Sequence, residues 1–288
     1  MDKIRVRGYA KINLTLEVVG RREDGYHLLR SVAQSLSLAD DVLIERSDRQ
    51  AFDCDDPNIS ISQNSLLTAV RFFEKAMGND CPVAITLQKK IPYQAGLGSA
   101  SADAAAVLRG LNVLYGYPFT EEMLLRLALQ VGADVPFCLT GGTQMFEGIG
   151  ERLLSLPSLL FCWVLLVKPE VGIDTKEAYR RIDMAKEIKN PDSMAAVAGL
   201  YKGDIYAIAK NCGNVFEQVC EMKEVELIKK SLRSNGAIGS SMSGSGSAVF
   251  GLFDNLSSAQ AAFDFFNAKY PFVHLAQPVG RGTEIFTG

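Results

Sequence analysis

The chain has 288 residues, 48% hydrophobic and 22% charged, with a formal net charge of −3, which describes a globular protein of one large domain or two ordinary ones. Scattered Lys and Arg with a slight acidic balance give no footprint for nucleic acid, and no stretch approaches the roughly 18 uninterrupted apolar residues of a membrane span. Six cysteines without a CxxC pair, and two histidines, argue against a structural zinc site or a disulfide framework. The alternating charges of Met1 to Arg7 lack the apolar core of a signal peptide, so the expected location is the cytoplasm.

From Ile12 to Val18 apolar and polar residues alternate, predicting a strand with Lys11, Asn13 and Thr15 on one polar face. Arg22 to His27 is a turn around Asp24-Gly25. Strands at Val42–Glu45 and Ala84–Leu87 flank a helix over 65–77. A glycine-bearing loop then starts at Pro92 and runs into a helix, marked by Val107, Leu108, Leu111, Leu114 and Tyr115. With Ser101 or a neighbour as its cap, that helix would point free N–H groups into the loop, forming an anion site; the same pattern also suits a loop that only caps a core helix. A further helix over 120–130 opens on Thr120-Glu121-Glu122-Met123. Gly132 to Phe137 ends it and turns the chain, and Gly141-Gly142-Thr143 leads into a short strand.

The serines and proline between Leu154 and Leu160 mark a boundary between units 1–157 and 158–288. Beyond it the pattern predicts a strand at Phe161–Val167 and helices over 176–188 and 211–233. A second glycine–serine loop, Gly239 to Ser247, precedes a strand at Ala248–Phe253, a helix over 257–269 and a short tail. Strands and helices mix without regular βαβ alternation, which favours α+β. Neither glycine loop carries Gly-Lys-Ser/Thr, so a Walker A loop is excluded. The first does not directly follow an apolar strand, as a dinucleotide fingerprint would. The second is either a flexible linker or a loop whose glycines admit a ligand close to the backbone.

Three segments, Pro92–Ala105, Gly132–Phe137 and the second glycine–serine loop, resemble the three motifs of the GHMP small-molecule kinases. More narrowly, Ala10-Lys11-Ile12-Asn13-Leu14-x-Leu16 and Arg22-x-Asp24-Gly25-Tyr26-His27 resemble a branch whose substrate is a small alcohol bearing a cytidine diphosphate group. That branch works in the non-mevalonate route to isoprenoid precursors. The matches span nearly the whole chain in the family's order. The resemblance implies an ATP-dependent phosphotransferase of two-domain α+β architecture, with a ribosomal S5-like domain over 1–157 and a ferredoxin-like domain over 158–288.

Carried over by position, Asp134 would be the general base and Lys11 would hold it ionised and balance charge on the transferred phosphoryl group. Pro92, Ala95, Gly96, Leu97, Gly98, Ser99, Ala100, Ser101 and Asp103 would meet ATP, with Asn64, Leu66 and Lys89 near its adenosine end. Asn13, Tyr26, His27, Thr175, Tyr179, Gly244, Ser245 and Gly246 would meet the substrate, Tyr26 and Tyr179 by stacking on cytosine. Without the resemblance, Asp134 reads as a turn aspartate, Lys11 as a solvated strand lysine and Tyr179 as a core aromatic.

No acidic pair announces a protein metal site, so Mg2+ is expected to travel with the nucleotide. The expected partners are the small-molecule substrate and no nucleic acid or membrane, in a monomer or weak homodimer. The family's Gly-Leu-Gly-Gly-Gly-Ser-Ser stands here as Gly96-Leu97-Gly98-Ser99-Ala100-Ser101-Ala102. That change restricts the backbone if either lost glycine needed positive φ, and it removes a hydroxyl at position 102. Two other readings remain open: a sister kinase acting on homoserine or a mevalonate derivative, and a non-catalytic nucleotide- or RNA-binding module. Gly25-Tyr26-His27 with Tyr179 speaks against the first, and Lys11 with Asp134 against the second.

Overall fold

The computed structural model describes residues 2–57, 59, 65–159, 162–172, 174–220 and 222–286. Its frame is a hairpin of two long strands, β1 (Lys3–Arg21) and β2 (His27–Arg46), closed by the expected turn, where Asp24 Oδ1 accepts the N–H of Tyr26 at 3.2 Å. The alternation at 12–18 is present, but both faces of β1 are covered, so Lys11, Asn13 and Thr15 are buried rather than solvated. Register shifts at Tyr9/Lys11, Asn13/Thr15 and Val18/Gly20 interrupt the ladder. Such bulges bend a strand and re-aim its side chains.

The first half continues with β3 (Ala51–Cys54), α1 (Ser65–Met77), β4 (Val83–Gln88), α2 (Ser99–Leu114), α3 (Glu121–Val131), α4 (Val135–Thr140), β5 (Thr143–Gly148) and β6 (Arg152–Ser155). β2 is shared along its length: its Asp41–Arg46 end pairs with β4 and its Leu29–Gln34 end with β5. α2 lies across β1 and β2 with α1 beside it. Ala102, Ala104, Ala105, Ala106, Val107, Leu108, Leu111 and Leu114 are buried in one core with Ile4, Val6 and Ile44 of the sheet. α3 begins as read, with Thr120 Oγ1 accepting the N–H of Met123. The turn expected at Gly132–Phe137 is shorter, because Pro136 in the first helical turn starts α4 directly after Asp134.

The second half contributes β7 (Trp163–Lys168), α5 (Thr175–Met184), α6 (Ser193–Lys202), α7 (Ile205–Asn211), β8 (Gly213–Asn214), α8 (Glu217–Cys220), α9 (Lys223–Ser234), β9 (Gly239–Met242), β10 (Val249–Phe253), α10 (Leu256–Asn267), β11 (Phe272–Ala276) and β12 (Thr283–Phe286). An antiparallel sheet runs β11-β7-β10-β9, packed by α9 and α10. The helix expected over 211–233 is broken. The Asn214 side chain binds the carbonyls of Met242 and Gly244 and accepts the N–H of Phe216, pinning that stretch to the second glycine loop. The expected tail is instead two strands. Helices packed on mostly antiparallel sheets make the α+β class expected from the sequence.

The last strand does not stay with the second sheet. β12 pairs with β1 at Arg5–Gly8, and β8 pairs with β1 at Thr15 and Leu16. Both cover the edge of β1 that β2 leaves open, which is how a sheet avoids an unpaired rim. The crossing is tight at Gly282, whose N–H donates to Thr140 O and whose carbonyl accepts from Tyr9 N. A Cβ there would lie 2.0 Å from the Cys138 carbonyl oxygen. Gly282→Ala is therefore expected to cost about 2–3 kcal/mol and to lower Tm by roughly 5 °C or more. Thermal unfolding at the wild-type temperature would refute this packing argument.

Candidate active site

The first glycine loop is shaped by backbone contact rather than by side chains. Gly96 and Gly98 have φ of 72° and 74°, left-handed values that favour glycine. A Cβ on Gly96 would sit 2.0 Å from the carbonyl oxygen of Ser243 in the second glycine loop. Three bonds close the junction: Lys11 N to Leu97 O at 2.9 Å, Ala248 N to Ala95 O at 3.0 Å, and Ser243 Oγ to Gly96 O at 2.8 Å.

α2 begins at Ser99 with Gly98 in the cap position and no side-chain cap, so Ser101 is not the cap but a residue of the first turn. The N–H groups of Ser99, Ala100 and Ser101 therefore lack intrahelical acceptors and stand at the positive end of the helix dipole. Ser99 and Ala100 are helical and do not have positive φ, so replacing the family's glycines there imposes no strain. Ala102 is fully buried and packs on Gly8 of β1, away from the cavity.

Beneath this loop Lys89, 7% exposed at its side chain, is surrounded by acceptors. Its Nζ lies 2.5 Å from Asp40 Oδ2, 2.6 Å from Ser99 Oγ and 2.7 Å from Asp103 Oδ2. Three acceptors use the three donors of an ammonium, so Lys89 and Asp103, expected against the nucleotide, instead brace the loop from behind. Burial opposes the Lys89 charge, but the two carboxylates outweigh it and raise its pKa. Burial drives the Asp103 carboxyl well up, with Lys89 pulling the other way. Asp40, whose Oδ1 also accepts the N–H groups of Lys90 and Ile91, carries no motif in the sequence. Leu66 is a fully buried core residue of α1, Pro92 lies off the cavity lining, and Asn64 lies outside the described residues.

In front of the loop is a cavity of about 430 Å3, lined by Ala95 to Ser101, Lys11, Asn13, Asp134 and Gly244 to Gly246. Lys11 Nζ lies 3.4 Å from Asp134 Oδ2; the side chains are 4% and 38% exposed, respectively. The lysine thus forms the floor and the carboxylate faces the cavity, free of any helix-capping bond. Asn13 Oδ1 accepts from Lys11 Nζ at 2.7 Å and from Gly244 N at 2.9 Å, and its Nδ2 donates to Ser31 Oγ. Expected on the substrate, Asn13 lines the cavity yet spends its oxygen fixing Lys11 to the second loop. Thr175 Oγ1 and Ser245 Oγ, 2.8 Å apart, bring α5 against the same loop.

A second cavity of about 670 Å3 adjoins the first along Leu29, Thr175, Lys176 and Tyr179. The Tyr179 ring stacks on His27 (centroids 4.8 Å apart, planes at 23°) and makes a T-shaped contact with Phe216, centroids 4.9 Å apart. His27 Nε2 is 2.7 Å from Asp183 Oδ1, and Asp183 also holds Arg21 at 3.4 Å. A carboxylate only accepts, so this contact places the proton on Nε2. Burial raises the Tyr179 phenol pKa, with the Asp134 charge adding to the effect. Tyr26 stands at the rim, 64% exposed. Phe216, Asp183 and Arg21 are additions to the predicted set; Arg21 sits across the hairpin from His27 and Asp183 one turn from Tyr179, and only the fold brings hairpin, α5 and Phe216 together.

Two glycine loops meeting over a buried lysine and an accessible aspartate, in this pair of sheets, define a GHMP kinase. The N-terminal domain of GHMP kinases matches residues 64–142 and the C-terminal domain residues 196–271. The 4-diphosphocytidyl-2-C-methyl-D-erythritol kinase of Thermoanaerobacter pseudethanolicus is 38% identical over 289 aligned positions, covering 99% of this chain and 100% of that one. That of Acetivibrio thermocellus is 40% identical over 268, covering 92% and 95%. A crystal structure of 4-(cytidine 5'-diphospho)-2C-methyl-D-erythritol kinase matches at TM-score 0.79 and 31% identity, over 95% of this chain and 99% of that one. A homoserine kinase from Cytophaga hutchinsonii shares the fold at TM-score 0.81 and 22% identity, over 99% and 98%. The chain belongs to the 4-diphosphocytidyl-2-C-methyl-D-erythritol kinase family.

The buried brace yields a stability test. Lys89→Met leaves two carboxylates facing each other without a cation, a change expected to cost about 3–5 kcal/mol. Urea unfolding measures it, and a loss under about 1 kcal/mol would mean that Lys89 is not structural.

Proposed function

We propose that this chain, an ATP-dependent kinase by family, transfers the γ-phosphoryl group of ATP to a hydroxyl of 4-diphosphocytidyl-2-C-methyl-D-erythritol, a step of the non-mevalonate route to isoprenoid precursors. The observation that carries the reading is the Lys11–Asp134 pair, placed between the amide-lined loop and the aromatic cavity. ATP phosphates suit the loop: uncapped amides at a helix N-terminus are an anion site, and Gly96 and Gly98 let the backbone approach. The acceptor hydroxyl would lie against Asp134, which takes its proton as the new O–P bond forms and the bond from phosphorus to the ADP oxygen breaks.

Lys11, held by Asn13, adds a fixed positive charge beside that transfer, where charge gathers on the phosphoryl oxygens. Mg2+ would enter with the nucleotide, held by its phosphates. Bound there, Mg2+ would neutralise charge on the β- and γ-phosphates.

The aromatic cavity supports the cytidine part. The stacked rings of His27 and Tyr179, with Phe216 packed against Tyr179, offer a flat base a fixed aromatic wall, and His27 is held in place by Asp183. Tyr26, exposed at the rim, is available to cover the base from the open side. A kinase for homoserine or mevalonate has no use for such a surface, because those substrates carry no base. Asp134→Asn is expected to lower kcat by roughly a hundredfold or more with the fold intact by circular dichroism; unchanged kcat would remove Asp134 as the base. Asp183→Ala should raise the acceptor KM about tenfold by releasing His27 while sparing the ATP KM. Equal shifts in both constants would contradict a role confined to the base pocket.

A further inference from the structure

We infer that Lys176 binds the diphosphate of the acceptor substrate. The inference rests on the proposed substrate, in which a diphosphate joins the cytidine to the alcohol that is phosphorylated. The aromatic cavity and the Lys11–Asp134 cavity meet along Leu29, Thr175, Lys176 and Tyr179. A molecule with its base in one and its reacting hydroxyl in the other passes its diphosphate through that junction. Two phosphate charges leaving water there need a cation to replace their hydration.

The cations around the two cavities are few and almost all committed. The first is lined by Lys11 and Lys176, the second by Arg21, Arg180 and Lys176. Lys11 lines only the first cavity, where it faces Asp134 and Asn13 at the reacting end. Arg21 is taken by Asp183, and Arg180 makes two bonds to Glu177, at 2.6 and 2.8 Å. Lys176 alone lines both cavities, and among the described residues it forms no ion pair.

Its acidic neighbours are occupied elsewhere. Glu177 is also bonded to Arg181, and Asp174 Oδ1 caps α5 by accepting the N–H of Glu177. Lys176 lies in the first turn of α5, where the helix dipole adds to its charge. A long, exposed stem lets the ammonium swing onto a ligand as a compact, mobile charge.

The test compares steady-state kinetics of wild type, Lys176→Ala and Lys176→Arg on ATP and the cytidine-diphosphate alcohol, with CDP and cytidine as competitive inhibitors. Loss of one charge-assisted phosphate contact is expected to lower acceptor kcat/KM roughly tenfold to a hundredfold in Lys176→Ala, chiefly through KM. The preference of the wild type for CDP over cytidine should shrink by the same factor, and Lys176→Arg should recover most of both. A purely structural lysine would weaken CDP and cytidine alike, and that result would overturn the inference. So would an unchanged acceptor KM, or a rise in the ATP KM instead, which would put Lys176 on the nucleotide. Absence of turnover by the wild type would defeat the substrate reading itself, whereas turnover with an unaltered CDP preference defeats only the role of Lys176.

Discussion

The cleft depends on one contact in which two backbones touch with no room for a side chain between them. Gly96 of the first loop lies against Ser243 and Gly244 of the second, so closely that a single added carbon on Gly96 would collide with a carbonyl oxygen. The loops come from opposite halves of the chain and from different sheets. Their contact fixes the start of α2 relative to β1, and therefore the distance from the helix amides to Lys11. Small residues here are a condition of the architecture, because any substituent would wedge the halves apart.

Behind and in front of this contact stand two lysines with opposite duties. Lys89 is enclosed by acceptors and holds the loop to β2 and α2. Lys11 is at least as buried but keeps one side toward the cavity, where its partner Asp134 is accessible. The same ammonium group is a brace in one setting and part of a reaction centre in the other. What separates them is the number of acceptors each meets. A fully satisfied cation has no donor left for a ligand, whereas one tied to a carboxamide and one carboxylate does.

Much of this was legible in the chain and some was not, for physical reasons. α1 was readable from end to end because its apolar residues repeat at helical spacing over a segment with one buried face. The loop into α2, the Lys11 strand and the aspartate after Gly132 were recognisable because each is a local pattern in a resembling family. The burial of the Lys11, Asn13 and Thr15 face was hidden, since it is created by partners such as Ser193 and Gly244 that lie far along the chain. The capture of Lys89 by Asp40 is invisible for the same reason, because the two residues lie 49 positions apart in the chain. The region after Asn211 misled because its composition is helical, while the Asn214 side chain competes for backbone groups and breaks the helix.

The return of β12 to β1 has a consequence during synthesis. A ribosome releases the residues of the first sheet long before it makes Thr283 to Phe286. Through that interval the outer edge of β1 at Arg5–Gly8 lacks its final strand, with its backbone groups exposed to any other extended segment. The nascent kinase therefore carries an adhesive rim while everything between β1 and β12 is made, and the rim is sealed only once β12 emerges.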